Sequence, residues 1–133
     1  MNTKGKKDST IINRAGVEKD TTYGSVMPPL YMSTNYTFAG YGEKREYDYS
    51  RTGNPTRDEL GAALAALEGG AGAVITSTGM SAVHLLFAIL ETDDLLLAPH
   101  DCYGGTYRLL EALDRKKHFR VKFIDQTDAA ELE

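Results

Sequence analysis

Hydrophobic and polar positions divide the chain near Ser50. Before that point, apolar residues keep neither a helical nor a strand period for long. From Asn54 the texture changes. Thr56 and Glu59 have the spacing of a capping box, and Leu60, Ala63, Leu64 and Leu67 follow at i, i+3, i+4 and i+7, with Gly69-Gly70 to end the helix. Residues 73–76, Ala-Val-Ile-Thr, are short, apolar and partly β-branched, which predicts a buried strand running into Ser77-Thr78-Gly79-Met80. A second helix then begins, with Val83, Leu86, Phe87 and Leu90 as its buried face. Asp93-Asp94 interrupt that pattern, residues 95–98 supply a second strand, and Pro99 closes it. After the Tyr103-Gly104-Gly105 turn, residues 107–117 read as a third helix. Residues 121–124 read as a third strand, with Asp125 at its carboxyl end and Asp128 and Glu131 spaced to cap a further helix.

Alternating strands and helices imply parallel strands joined by right-handed crossovers, hence a doubly wound α/β sheet. The chain ends as the last helix starts, so the expectation is a fragment. The domain expectation is an extended arm over residues 1–53 and the beginning of a larger domain over residues 54–133. Six of the eight tyrosines lie before Ser50, at Tyr23, Tyr31, Tyr36, Tyr41, Tyr47 and Tyr49. A long irregular segment rich in tyrosine is better suited to lying on a second subunit than to forming its own core. A disordered tail is the alternative. From Thr21 onward the arm is favoured, because Met27-Pro28-Pro29-Leu30-Tyr31 and Tyr36-Thr37-Phe38 carry apolar and aromatic groups that disorder avoids.

Composition narrows the partners. With 15 Lys+Arg against 19 Asp+Glu the net charge is -4, which offers no basic surface for a nucleic acid. Lys4, Lys6 and Lys7 cluster, but the apolar run after them is only Ile11-Ile12, too short for a secretory or membrane segment, and a cytoplasmic location is the default. Cys102 is the single cysteine, so the 133 residues allow no intrachain disulfide and no multi-cysteine metal site, as suits a reducing compartment. His84, His100 and His118 lack ligand-like spacing and are read as structural, and no metal is expected.

In a parallel α/β sheet, ligands collect beyond the carboxyl ends of the strands, at residues 77–80 and 99–105 here. The first loop is a strand-to-helix turn with two hydroxyls and a glycine, whose N–H groups suit an anion or simply punctuate a helix start. Tyr49 and Arg51, two residues apart in an expected extended segment, would project together toward a phosphate, the planar guanidinium being suited to its oxygens. An exposed polar loop before a helix is the other reading of that pair. Tyr103, beside two glycines, either stacks on a planar ligand or packs at the surface. Arg108, one turn into the next helix, either meets a substrate carboxylate or stays solvated.

Three ordered motifs bear on these alternatives. Residues 49–56 (Tyr-Ser-Arg-Thr-Gly-Asn-Pro-Thr), residues 77–80 (Ser-Thr-Gly-Met) and residues 101–108 (Asp-Cys-Tyr-Gly-Gly-Thr-Tyr-Arg) together resemble the Cys/Met-metabolism enzymes that use pyridoxal phosphate. Within that family, residues 99–103 and the Tyr107-Arg108 pair look most like the cystathionine γ-synthases, with lyases and sulfhydrylases as siblings. The resemblance spans residues 10–125 and implies the aspartate aminotransferase-like, type I fold of pyridoxal-phosphate-dependent transferases. It further implies that Tyr49 and Arg51 bind the cofactor phosphate of a neighbouring subunit, while the N–H groups of Gly79 and Met80 bind it within their own chain. Tyr103 would stack on the pyridine ring and assist proton transfer, and Arg108 would hold the acyl carboxylate of the substrate. Thr52 stands where some γ-synthases have a second arginine, which leaves the preferred acyl group open.

The implied reaction replaces the acyl group of O-succinylhomoserine, or another O-acylhomoserine, with L-cysteine to give L-cystathionine in methionine biosynthesis. A homo-oligomer is implied as well, a tetramer built of dimers that share active sites. The resemblance also calls for a lysine that holds the cofactor in a Ser-x-Thr-Lys context. None of the eight lysines, Lys4, Lys6, Lys7, Lys19, Lys44, Lys116, Lys117 and Lys122, lies in one, so these residues alone are expected to be inactive. Two readings compete from outside this enzyme class. One is a short remnant that merely binds partner subunits through its tyrosine-rich arm. The other, a dinucleotide-binding domain, lacks its Gly-x-Gly-x-x-Gly turn.

Overall fold

A computed structural model describes residues 5–131; Lys4, the first lysine of the basic cluster, lies outside them. The element order is α1 (Asp8–Asn13), α2 (Pro55–Glu68), α3 (Gly79–Phe87), β1 (Leu95–Pro99), α4 (Gly104–Arg115), β2 (Arg120–Ile124) and a 3-10 turn (Ala129–Glu131). The chain groups into two compact units, Met1–Ile75 and Thr76–Glu133.

In the first unit, α2 is the organising element. Asn54 caps it, its side-chain oxygen accepting from the N–H groups of Thr56 (2.9 Å) and Arg57 (3.3 Å), and Pro55 occupies the first helical position, where a missing N–H costs nothing. Thr56 is therefore not the cap, as its spacing to Glu59 predicts; its hydroxyl instead accepts from the Tyr31 N–H at 2.9 Å. Gly69 ends the helix in the left-handed conformation at φ 65°. The tightly packed face is made of small residues. Gly61 and Ala65 are buried, and a Cβ on Gly61 would come within 3.2 Å of the Ala73 carbonyl oxygen, so the turn after the helix lies directly on it. Leu60 and Leu64, expected on the core stripe, are exposed; Leu60 lines an apolar groove with Pro28, Pro29 and Leu30. The short helix α1, with Ile11 buried, packs against α2.

Residues 21–53 hold two isolated antiparallel bridges, Asn35 with Tyr49 and Gly40 with Glu43, and otherwise run irregularly. Apolar side chains stand out from this segment, with Tyr23, Met27, Leu30 and Met32 exposed. The predicted strand at residues 73–76 is not formed among the described residues. Its backbone has no ladder partner there and Val74 is exposed, and an extended segment counts as a strand only where a neighbour takes up its N–H and C=O groups.

The second unit is a β–α–β arrangement. β1 and β2 pair in parallel with Leu95 opposite Arg120 and Pro99 opposite Ile124, as the strand–helix–strand alternation predicts. Ala98, Leu110 and Phe119 form the buried core, with Phe87, Leu90, Leu96, Leu113, Val121 and Phe123 packed around it. Two ring contacts tie the helices to β2 and the turn before it: Phe87 to Phe119 at 5.6 Å, and Tyr107 stacked on Phe123 at 4.3 Å. Helix α4 begins three residues before the expected start, because Tyr103 serves as N-cap and the two glycines adopt helical geometry. Of the face expected for α3, Val83, Phe87 and Leu90 are half-buried, whereas Leu86 is exposed. Asp128 accepts from the Ala130 N–H at 2.9 Å and starts a 3-10 turn where a further helix start was predicted.

Candidate cofactor site

Chemistry was expected in the loops at residues 77–80 and 99–105; α4 begins after the carboxyl end of β1, whereas α3 follows a segment that forms no strand. Thr78 caps α3: its backbone is extended, at φ -150° and ψ 157°, and its hydroxyl oxygen accepts from the Ser81 N–H at 3.0 Å. The helix starts at Gly79, so Gly79 and Met80 are its first two residues rather than part of the preceding turn. Their N–H groups therefore point out of the helix end, and neither has a hydrogen-bond partner among the described residues. Gly79 is exposed, and nothing lies within 4 Å of where its Cβ would stand. An anion can thus approach two free donors at the positive end of the helix.

Tyr103, Met80 and Gly105 meet beside this opening. A Cβ on Gly105 would lie 2.5 Å from Cε1 of Tyr103 and 3.2 Å from Sδ of Met80. Glycine at 105 is what lets the tyrosine ring lie across the start of α4, and the same gap admits the thioether. The Thr106 hydroxyl donates to Met80 Sδ at 3.9 Å, which joins the starts of α3 and α4. The Tyr103 ring is 73% exposed, so one face is available to a planar ligand. Arg108 sits one turn along α4, and its guanidinium comes within 3.5 Å of the Cβ position of Gly104, at the same end of the helix as Tyr103. His100 is structural: its backbone N–H donates to the Ile124 carbonyl at 2.9 Å, and its Nδ1 lies 3.2 Å from the same oxygen. Among the described residues no group of three or more His, Cys, Asp or Glu could hold a metal ion.

The first unit presents the other two residues. Tyr49 ends the bridge to Asn35, and a turn follows in which the Thr52 and Gly53 N–H groups donate to the Tyr49 carbonyl at 3.0 and 3.1 Å. The segment is a turn, not the extended stretch its sequence suggests, because local carbonyls take up its donors. It nevertheless brings the pair together: the Arg51 guanidinium lies 5.2 Å from the centroid of the Tyr49 ring. Thr52 is exposed, its hydroxyl donating to the Tyr49 carbonyl at 2.8 Å and to Asp48 at 3.0 Å. The Lys44 ammonium and the Thr52 hydroxyl hold the Asp48 carboxyl below its ordinary range. Behind the turn, partial burial, reinforced by the Asp58 carboxylate, pushes the Tyr47 phenol up to about 12. Sequence reasoning missed two residues here, Asn54 as the α2 cap and Arg57, whose guanidinium reaches back to the turn. The Asn-Pro pair was a readable signal for the first; nothing in the spacing marked the second.

The family model for Cys/Met metabolism PLP-dependent enzymes matches residues 9–133. The chain belongs to that family. Cystathionine gamma-synthase of Escherichia coli is 55% identical to it over 92% of the chain. Cystathionine beta-lyase of Lactococcus lactis is 33% identical over the same share. The fold agrees with cystathionine gamma synthase of Xanthomonas oryzae pv. oryzae, solved with aminoacrylate and cysteine and also with cystathionine, at a TM-score of 0.91 and 54% identity over 95% of the chain. The chain spans about a third of these relatives, 32% of the Escherichia coli enzyme and 33% of the Xanthomonas chain. Its fold is therefore that of the pyridoxal-phosphate-dependent cystathionine synthases and lyases, of which it forms an α/β part. Pyridoxal phosphate is the cofactor of the family, and the donor set fits it: free N–H groups at a helix start for an anion, and an exposed aromatic face beside them for a planar ring.

Proposed function

We propose that the protein carrying this chain is a cystathionine γ-synthase, which replaces the acyl group of O-succinylhomoserine, or of another O-acylhomoserine, with L-cysteine to form L-cystathionine for methionine biosynthesis. The observation that supports the reading is the joint start of α3 and α4, where the Gly79 and Met80 N–H groups are free, the Met80 thioether and the Tyr103 ring meet at Gly105, and Arg108 lies one turn along α4. The 55% identity to the Escherichia coli synthase supports the reaction over its siblings, since the lyase relative stands at 33%.

In this reading the Gly79 and Met80 N–H groups would bind the phosphate, and Tyr103 would stack on the pyridine ring and assist proton transfer. Arg108 holds the acyl carboxylate. Bound pyridoxal phosphate supplies an electron sink for negative charge developing on the substrate carbons, while the protein supplies orientation and electrostatics. Tyr49 and Arg51 bind the phosphate of a neighbouring subunit, so active sites are shared within a homotetramer of paired dimers. Residues 1–53 act as the arm that reaches the neighbour, and residues 54–133 begin the cofactor-binding domain. The reaction class is group transfer and the location is the cytoplasm; among the described residues no helix is long and apolar enough to cross a membrane.

A sibling reaction is the second reading: elimination from cystathionine, supported by the lyase relatives, or sulfide addition to O-acetylhomoserine, supported by a Bacillus subtilis relative with both synthase and thiol-lyase names at 39% identity. Purified protein should be assayed with O-succinylhomoserine and cysteine, with cystathionine alone, and with O-acetylhomoserine and sulfide. Cystathionine formation in the first assay, faster than turnover in the other two, is expected. Faster turnover of cystathionine itself would make the protein a lyase.

A further inference from the structure

The turn that carries Tyr49 and Arg51 is exposed at Arg51 and Thr52, and exposed turns move. A phosphate site needs its donors preorganised. Arg57, in the first turn of α2, is half-buried, and its guanidinium faces the turn from the helix side. Its Nη1 donates to the Ser50 carbonyl at 3.0 Å and its Nη2 to the Arg51 carbonyl at 3.4 Å. Two consecutive carbonyls held by one planar fork fix the peptide between them, and with it the direction in which the Arg51 side chain leaves the backbone. Arg57 is itself anchored, because Asn54 caps its N–H at 3.3 Å and the Asn54 amide donates to the Tyr31 carbonyl at 3.1 Å. On the far end of the turn, a Cβ on Gly53 would stand 3.1 Å from the Tyr47 ring, so that side is closed as well.

The two arginines therefore divide the work. Arg57 has both Nη groups committed to backbone carbonyls, and its Nε lies 3.9 Å from the Asp58 carboxylate. Arg51 has no ion-pair partner among the described residues, and its guanidinium rests only over the Tyr49 ring. We infer that Arg57 is a positioning residue for the cofactor phosphate, which it never touches: its fork on the Ser50 and Arg51 carbonyls sets the geometry in which Tyr49 and Arg51 are presented. The inference rests on the reading of Tyr49 and Arg51 as phosphate ligands.

The test compares Arg57→Met and Arg57→Lys with the unaltered protein, reading amide hydrogen exchange at Thr52 and Gly53 and the affinity of cofactor-stripped protein for pyridoxal phosphate and for pyridoxal. Arg57→Met should speed exchange at both amides and weaken pyridoxal phosphate binding about tenfold, the equivalent of one charge-assisted hydrogen bond. Pyridoxal, lacking the phosphate, should bind as before, which a general loss of structure would not allow. Arg57→Lys keeps the charge but not the fork and should fall between; it carries the test if the Met variant does not fold. Unchanged exchange, or equal weakening for both ligands, would overturn the inference. An Arg51→Ala control separates the two failures: if that variant also loses no preference for the phosphorylated ligand, the phosphate reading itself is wrong and the inference falls with it.

Discussion

Gly105→Ala should separate stability from cofactor binding. Position 105 lies in the first turn of α4 with ordinary helical backbone, so alanine is compatible with its conformation and gains about 0.5–1 kcal/mol of helix propensity at most. Its Cβ would arrive 2.5 Å from Cε1 of Tyr103, which cannot stand, and 3.1 Å from Cδ1 of the same ring and 3.2 Å from Met80 Sδ, which are tight and need a few tenths of an ångström of give. Something must move, and the ring is free to do so because it is 73% exposed. Turning it off its preferred rotamer costs about 0.5–1.5 kcal/mol, which the propensity gain largely offsets. The melting temperature should therefore change little. Cofactor affinity should change, because a displaced ring loses its stacking with a planar ligand, a term of about 0.5–1.5 kcal/mol, or roughly 2- to 12-fold in dissociation constant. The assay is titration of pyridoxal phosphate into cofactor-stripped protein, run for Gly105→Ala, Tyr103→Ala and the double variant. If Gly105 acts through the tyrosine, it has no further effect once Tyr103 is alanine. Wild-type affinity in Gly105→Ala alongside a weakened Tyr103→Ala would refute the reasoning, as would additive losses in the double variant.

Three other outcomes follow from the packing. Asn54→Ala removes the α2 cap and its amide bonds to the Tyr31 carbonyl and Tyr36 hydroxyl, and should cost about 0.5–2 kcal/mol in chemical denaturation. Leu110→Ala empties a fully buried core position between α4 and the sheet and should cost about 2–5 kcal/mol in the same measurement. Asp20 accepts from the Ser25 hydroxyl and from the N–H groups of Tyr23, Thr22 and Ser25, which together lower its carboxyl to about 2. A depressed acid contributes stability above its unfolded value, about 3.9, and loses it as pH falls through its folded value. The residue 20–25 loop should hence stay ordered at pH 4 and loosen toward pH 2, seen as amide shifts of Thr22, Tyr23 and Ser25; a midpoint near 4 would contradict the geometry.

The alternating pattern located α2, α3, β1, α4 and β2 within a few residues, because each carries apolar residues at a local period, even where, as in α3, none of them is fully buried. The miss at residues 73–76 has a different origin. β-branched residues record a preference for extended backbone, but a strand exists only through its neighbour, and a single segment does not encode which neighbour it has. The α2 stripe misled for a related reason. Leucines advertise burial, yet Gly61 and Ala65 are the buried pair, since only small residues let the chain beyond Gly69 lie 3.2 Å from a helix Cβ position. The short motifs singled out Tyr49, Arg51, Gly79, Met80, Tyr103 and Arg108 as candidates, and the structure puts Gly79 and Met80 at a helix start with Tyr103 exposed beside Met80. They did not single out Arg57, because its role lies in reaching backward seven residues to a carbonyl, and carbonyls are the same in every sequence.

That last point bears on how both units present their ligand groups. In each, the group expected to meet the cofactor protrudes from a turn beside a helix start, and the neighbouring polar residue faces inward: Thr78 caps α3 below Gly79 and Met80, and Asn54 with Arg57 braces the turn below Tyr49 and Arg51. Donors spent on the backbone are unavailable to a ligand but make the exposed ones rigid, and rigid donors lose less entropy on binding. Replacing a bracing residue should thus lower affinity without removing any contact to the ligand, whereas replacing Arg51 should remove the contact proposed for it. Added salt distinguishes the two cases physically. Screening should weaken the direct contribution proposed for Arg51, while the half-buried bonds from Arg57 to carbonyls are screened far less, so the loss caused by Arg51→Ala should shrink in high salt and that caused by Arg57→Met should persist.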